Sequence, residues 1–142
     1  EQPQNTMHIA NIDMGLKSGG FWFFKYTYAT ATVTVVDAED NSVAGVQVSG
    51  YWSGATSDSD SGATNSDGKI AFSSNNVRNA VRGTAFTFTV DDVTKSGWTY
   101  DRAANIETSN SITVNPGSSG GFFSNILSLV EYLIQKVSSM FS

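Results

Sequence analysis

The sequence predicts an all-β sandwich of about seven short antiparallel strands, followed by one C-terminal α-helix. Three observations predict this fold class. Short segments alternate apolar and polar residues, as strands with one buried face do. Turn-forming residues separate these segments at the spacing of an antiparallel β-sandwich. Residues 122–142 instead repeat apolar side chains at intervals of three and four, which is the spacing of a helix.

The clearest predicted strand covers residues 29–36, where apolar side chains alternate with three threonines. Its expected core residues are Ala29, Ala31, Val33 and Val35. Further alternating segments lie at 7–14, 46–52, 70–72, 86–90, 98–100 and 112–114. Residues 37–42 are expected to form a turn and residues 53–67 a long Ser/Asp/Gly loop, which closes with the turn dipeptide at 67–68. Trp52 and Trp98 are predicted to lie in the core.

Composition excludes several classes of function. The 142 residues carry a net charge of −5, with eight Lys and Arg against thirteen Asp and Glu. This balance leaves no basic surface for nucleic acid. The absence of cysteine excludes disulfides, thiolate nucleophiles and cysteine-based zinc sites. Seventeen aromatic residues and little charge argue against disorder.

The chain divides into unequal parts. Residues 1–115 are expected to form the sandwich, with 1–6 as a polar leader, and 116–121 (PGSSGG) to form a flexible hinge. Residues 122–142 form the third part, with one Glu and one Lys, so the whole negative excess lies before them. The chain begins EQPQNT without a methionine, as a processed secreted protein does. We therefore expect an extracellular location.

A family resemblance supports this expectation. The chain contains the runs MHIANID at 7–13, ATVTVVDAEDNSVAGVQVSGYWSG at 31–54, TNSDGKIAF at 64–72, FTFTVDDVT at 86–94 and WTYDRAAN at 98–105. Together they resemble the immunoglobulin-like domain often appended to secreted bacterial proteases and other exoproteins. The resemblance implies an immunoglobulin-like sandwich with an accessory, non-enzymatic role. Many members carry a cysteine pair flanking the Asp-Gly turn, where this chain has Ala63 and Ile70.

No residue pattern predicts an enzyme, a metal site or a cofactor. Asp58, Asp60 and Asp67 resemble part of a calcium loop, but the further ligands of such a loop are missing, which favours a solvated acidic loop. The acids at 91, 92 and 101 are interpreted in the same way. The single histidine, His8, lies between Met7 and Ile9 and is expected to be structural. Catalytic residues, metal ligands and cofactors are therefore predicted to be absent.

An aromatic ladder is the first candidate contact surface. If one strand runs in register through residues 21–36, Trp22, Phe24, Tyr26 and Tyr28 share the outer, threonine-bearing face. An exposed apolar patch of this kind marks a contact with a sugar or another subunit. A β-bulge would instead reverse the register and bury these side chains. The sequence leaves both possibilities open.

The C-terminal segment, residues 122–142, is the second candidate surface. One heptad seam consists of Phe123, Leu127, Val130, Ile134, Val137 and Phe141, and a second of Phe122, Ile126, Leu129 and Leu133. A helix of about 20 residues, ~30 Å long, would be apolar over more than half its circumference. It has to be buried against its own sandwich, in a membrane or against other copies. Asn125, Glu131, Gln135 and Lys136 argue against a membrane partner. Two adjacent seams favour self-association.

Two functions are consistent with these features. The first is a secreted structural subunit that self-assembles with copies of itself into an oligomer, with a filament or other extracellular appendage favoured. The alternative is an accessory module that attaches a secreted hydrolase to a carbohydrate or another surface through the aromatic ladder. A glycan therefore remains a candidate partner.

Overall fold

The computed structural model describes residues 5–115, in which nine β-strands form two sheets. The strands are β1 (Thr6–Phe21), β2 (Phe24–Asp37), β3 (Gln47–Gly54), β4 (Ser59–Ala63), β5 (Lys69–Ser73), β6 (Val77–Arg78), β7 (Ala85–Thr94), β8 (Thr99–Tyr100) and β9 (Ser109–Thr113).

The fold class predicted from the sequence is wrong as stated. Nine strands form where about seven were expected, because β4 and β6 are short segments without a strong apolar alternation. The one helical element in residues 5–115 is the three-residue 3-10 turn Arg102–Ala104. The helix predicted at 122–142 lies outside the described residues. For the part of the chain that the structure describes, the supported class is an all-β, two-sheet architecture.

The two sheets are built on long antiparallel pairs. Sheet A has the order β5-β2-β1-β8, with β6 also paired to β2, and sheet B has the order β4-β3-β7-β9. The β1–β2 pairing runs from Met7 opposite Asp37 to Phe21 opposite Phe24, with one irregularity between Ile9 and Asn11. The β1–β8 pair is parallel and only two residues long. Pairing to β2 therefore holds most of β1 in place.

The core lies between the sheets and follows the strand alternation. Ala29, Ala31, Val33 and Val35 are fully buried, which confirms the inward face predicted for residues 29–36. Trp52 is also buried, as predicted, and its ring centroid lies 5.0 Å from that of Phe88. Trp98 is only half-buried and packs at the edge of this cluster.

The register gives the sandwich two distinct ends. We call one end the aromatic pole, which contains the β1–β2 turn and the loop at 79–84. Here the Asn79 amide donates to the Lys25 carbonyl at 2.9 Å, and the Gly83 amide donates to the Val114 carbonyl at 2.7 Å. The described chain therefore ends at the aromatic pole. The opposite end, which we call the acidic pole, contains the turns at 37–42 and 65–68 and the segment 94–99.

A carboxylate fixes the turn at 37–42. Asp37 Oδ1 accepts hydrogen bonds from the Asn41 and Glu39 amides, both at 2.9 Å. These bonds favour the charged form, and the bond from Asn41 contributes most to lowering the pKa of Asp37 below its usual value. The turn predicted at these residues is confirmed.

The expected loop at 53–67 contains a strand instead. β4 pairs with β3, with Ser61 opposite Ser49 and Asp60 opposite Gly50. Asp60 Oδ2 accepts a hydrogen bond of 3.0 Å from the Trp52 indole nitrogen. Asp60, predicted to lie in a loop, therefore lies in a strand and holds the core side chain of Trp52 in place.

Candidate interaction surface

The tip of the β1–β2 hairpin presents four consecutive exposed aromatic side chains. Phe21, Trp22, Phe23 and Phe24 are 74%, 68%, 80% and 63% exposed. Phe21 and Phe24 are the last cross-strand pair, and Trp22 and Phe23 form the two-residue turn between them. Because these side chains are contiguous, they form an apolar patch rather than the scattered exposure that is normal on a soluble domain. We call these four residues the hairpin tip.

The turn holds Trp22 in a conformation that favours glycine. Trp22 has a φ of 59°, a left-handed value at the first of the two central turn positions, where a type II′ turn normally has glycine. Gly20, just before the tip, has a φ of 108°, and a Cβ atom there would lie 1.9 Å from the Phe24 carbonyl oxygen. Backbone strain of this kind accumulates at functional sites. An exposed tryptophan at a strained position is poorly explained by stability alone.

Two tyrosines form a flat surface behind the hairpin tip. The rings of Tyr26 and Tyr28 stack with centroids 6.3 Å apart and an interplanar angle of 18°. Gly19 lies opposite Tyr26, and a Cβ atom at Gly19 would come within 2.4 Å of the tyrosine hydroxyl oxygen. The glycine thus gives the ring room to lie across β1. Both tyrosines are half-buried.

β2 pairs with β5 without a register shift, and its pairing with β1 shifts only near Ile9. Phe24, Tyr26 and Tyr28 therefore share the outer face with Thr30, and Trp22 lies in the turn. The structure thus brings the four residues of the predicted ladder onto one hairpin, and it does not bury them through a bulge in β2. Their role in binding stays a prediction.

Sequence reasoning did not select Phe21 and Phe23, although they are the two most exposed aromatics of the tip. They alternate with the predicted ladder and would point into the core if the strand were continuous. The two-residue turn ends the strand after Phe21 and removes that constraint. The Gly19-Gly20 pair just before this turn was the signal that could have shown it.

Cations surround the hairpin tip. Lys17 and Lys25 lie on the hairpin, Arg78 on β6 and Arg82 on the adjacent loop, and all four are exposed. The Arg78 guanidinium carbon lies 5.1 Å from the centroid of the Phe24 ring. Residues 14–31 and 72–90 contain no Asp or Glu. The aromatic pole is therefore locally basic, although the chain as a whole is acidic. Among the described residues, the one acid at this pole is Asp58, which lies in the β3–β4 turn and is half-buried.

The remaining candidate residues, the acids and His8, lie at separate places in the described part of the chain. Asp60 bonds to Trp52, and Asp67 lies exposed in a turn at the acidic pole. No group of three or more His, Cys, Asp or Glu in residues 5–115 is placed to hold a metal ion. His8 is buried and lies opposite Val36 in the β1–β2 pairing.

The second predicted surface lies outside the described residues. It consists of Phe122, Phe123, Ile126, Leu127, Leu129, Val130, Leu133, Ile134, Val137 and Phe141. Within residues 5–115, no helix is long and apolar enough to cross a membrane.

Comparison with known proteins found no matching family model, no matching curated protein and no matching solved structure. The resemblance to the exoprotein domain therefore stays a prediction, and the function has to be inferred from the chain itself.

Proposed function

We propose that the protein is a secreted, non-enzymatic structural subunit that self-assembles through residues 122–142 into an extracellular filament or similar appendage. One observation carries this proposal. The described chain ends at the aromatic pole, where the Val114 amide donates to the Thr84 carbonyl at 2.8 Å. The sequence that leads to the apolar segment therefore starts at the same end of the sandwich as the exposed hairpin tip.

Two apolar features of the chain support self-association. The hairpin tip exposes four aromatic side chains, and residues 122–142 contribute two apolar seams with one Glu and one Lys. Burying ten large apolar side chains contributes on the order of 15–30 kcal/mol as an upper bound. A contribution of that size is enough to drive association. The resulting subunit has one apolar end for assembly and an acidic remainder that faces water.

Substitutions within the two seams test the proposal. Leu127→Glu and Ile134→Glu place a charge in the first seam, and we expect each to release monomers in sedimentation velocity experiments. Ser128→Glu is the matched control, because it adds the same charge to the same segment outside both seams. If the seam variants sediment like the wild type, residues 122–142 are not the assembly element. If the control also releases monomers, the effect comes from charge and not from the seams.

A second candidate function is favoured by the stacked tyrosines. Tyr26 and Tyr28 offer two nearly parallel rings on one outer face, which suits a sugar better than the hairpin tip, whose neighbouring rings are tilted by 69° and 47°. A carbohydrate-binding module would be retarded in a gel that contains the polysaccharide, and Tyr28→Ala would abolish the retardation. Tyr51→Ala is the matched control on the other sheet, where Tyr51 is 42% exposed. Equal mobility with and without polysaccharide would exclude this candidate.

A further inference from the structure

The two poles of the sandwich are complementary in shape. The aromatic pole is convex, because the hairpin tip extends beyond the rest of sheet A. Tyr26 and Thr27 are the residues of β2 nearest the tip that pair with a strand other than β1. The acidic pole carries an open pocket of about 740 Å³. The pocket is lined by Gly45, Gln47, Asp92, Val93, Thr94, Lys95, Ser96, Trp98, Thr99 and Tyr100.

The poles are also complementary in charge. Lys17, Lys25, Arg78 and Arg82 surround the hairpin tip. At the opposite pole Glu39, Asp40, Asp67, Asp92 and Asp101 are all exposed. A basic surface and an acidic surface on the same chain attract one another between copies.

The cations of the acidic pole have local partners. Lys95 Nζ donates to the Ala44 carbonyl at 2.5 Å and lies 5.6 Å from the centroid of the Trp98 ring. Arg102 donates to the Asp91 carbonyl at 3.1 Å, and its guanidinium carbon lies 4.9 Å from the Tyr100 ring centroid. These contacts bring cations and aromatic rings together at the pocket, whose lining includes one carboxylate, Asp92, and one cation, Lys95. The pocket therefore offers aromatic surface at the pole that also carries the exposed carboxylates.

We propose that the hairpin tip of one copy docks into the pocket at the acidic pole of a second copy. The aromatic side chains of the tip would contact Trp98 and Tyr100, and the basic residues around the tip would face the exposed carboxylates of the acidic pole. This inference rests on the proposed function, since it takes a second copy of the chain as the partner. It adds the surfaces that meet and the direction in which copies follow one another.

The contact is head-to-tail, because the two surfaces lie at opposite ends of the domain. An interface of this type that does not close into a ring propagates into a filament. β1 runs from the acidic to the aromatic pole over 16 residues. At about 3.3 Å per residue it spans about 50 Å. Filaments built on this contact should therefore have an axial repeat of about 50 Å.

Disulfide trapping tests this contact directly, because the natural chain has no cysteine. One full-length variant carries Phe23→Cys on the hairpin tip, and a second carries Ser96→Cys at the pocket; both positions are exposed. Mixing the two under mild oxidation should give a heterodisulfide dimer several-fold faster than the control pair. The control pairs Phe23→Cys with Ala71→Cys, an exposed position on β5 of sheet A.

Equal rates for the test and control pairs would overturn the proposal, and so would a dominant Phe23→Cys homodimer, which would indicate tip-to-tip contact. Trp22→Ser in the Phe23→Cys chain should lower the trapping rate while the thermal unfolding midpoint is kept. High salt should lower the trapping rate as well, because the attraction between the charges of the two poles is then screened. A trapping rate that changes neither in Trp22→Ser nor at high salt would count against the proposal. The proposal would also be contradicted if the wild-type chain floated with phospholipid vesicles and Trp22→Ser did not, because the tip would then bind lipid.

The two proposals fail in different ways. If the heterodisulfide does not form faster than the control while the wild type sediments as large assemblies, the contact between poles is wrong and assembly through residues 122–142 stands. If Leu127→Glu leaves sedimentation unchanged while trapping is fast, the proposed assembly element is wrong and the contact between poles stands.

Discussion

Replacing Trp22 with glycine tests whether the Trp22 side chain stabilises the hairpin or serves the contact between copies. Trp22 holds a left-handed φ of 59°, which costs a residue other than glycine on the order of 1–3 kcal/mol. Glycine adopts this conformation without that cost, although its greater freedom in the unfolded chain costs about 0.5–1 kcal/mol. The Trp22 ring is 68% exposed, so its removal sacrifices little buried area.

One packing interaction opposes this gain. The Trp22 ring lies edge-on to that of Phe21, with centroids 5.7 Å apart, and such a pair contributes about 0.5–1.5 kcal/mol. These terms sum to between a loss of about 1.5 and a gain of about 2 kcal/mol, so Trp22→Gly is predicted to be about as stable as the wild type. A change of about 1 kcal/mol moves the unfolding midpoint by roughly 4–8 °C in domains of 60–100 residues and by about 2–4 °C in domains of 150–250 residues, so a shift of about 4 °C is expected for a chain of this length.

Thermal unfolding followed by circular dichroism measures the stability, and disulfide trapping of the same variant measures the contact between copies. We expect a midpoint close to that of the wild type together with slower trapping. The conservative comparison is Trp22→Ala, which removes the ring and retains a Cβ atom at the strained position. A loss of more than about 1.5 kcal/mol in Trp22→Gly would refute the reasoning, because it would mean that the ring is held in stabilising contacts.

Three further substitutions test other parts of the structure. Trp52→Phe removes the donor to Asp60 and should cost about 1–3 kcal/mol in urea unfolding; an unchanged midpoint would show that this bond is unimportant. Gly20→Ala forces a Cβ atom against the Phe24 carbonyl oxygen and should destabilise the hairpin by about 1–3 kcal/mol, seen as faster amide exchange near the tip. The pKa of Asp37 is lower in the folded than in the unfolded chain, so the charged carboxylate stabilises the native state. This contribution is complete above the usual pKa of about 3.9 and is lost as pH falls through the lower pKa of the folded state. Asp37→Asn should therefore be less stable than the wild type at pH 7 and should match it well below pH 4; an equal difference at both pH values would contradict this sign.

Local alternation in the sequence was enough to predict the inward face of β2. Apolar residues and threonines alternate strictly over residues 29–35, and the apolar members are all buried. β4 was missed because its sequence, SDSGA, has only small and acidic side chains that are typical of loops. It forms because β3 offers an edge for pairing, which is a tertiary effect that propensity does not contain.

The candidate surface was predictable only in part. The aromatic run at 21–28 is visible in the sequence, but its exposure depends on where the hairpin turns, and Trp22 occupies a conformation that propensity disfavours. The basic character of the aromatic pole depends on topology, because Arg78 reaches the hairpin only through the pairing of β6 with β2. The pocket at the opposite pole joins residues from β3, β7 and β8 that are separated along the chain.

Sedimentation velocity of the full-length chain tests self-assembly most directly. At neutral pH and low salt, the account predicts species far larger than the 15.2 kDa chain, and it predicts that Leu127→Glu converts them to monomers while Ser128→Glu does not. A single 15.2 kDa species for the wild type, at the highest concentration at which it stays soluble, would contradict the account.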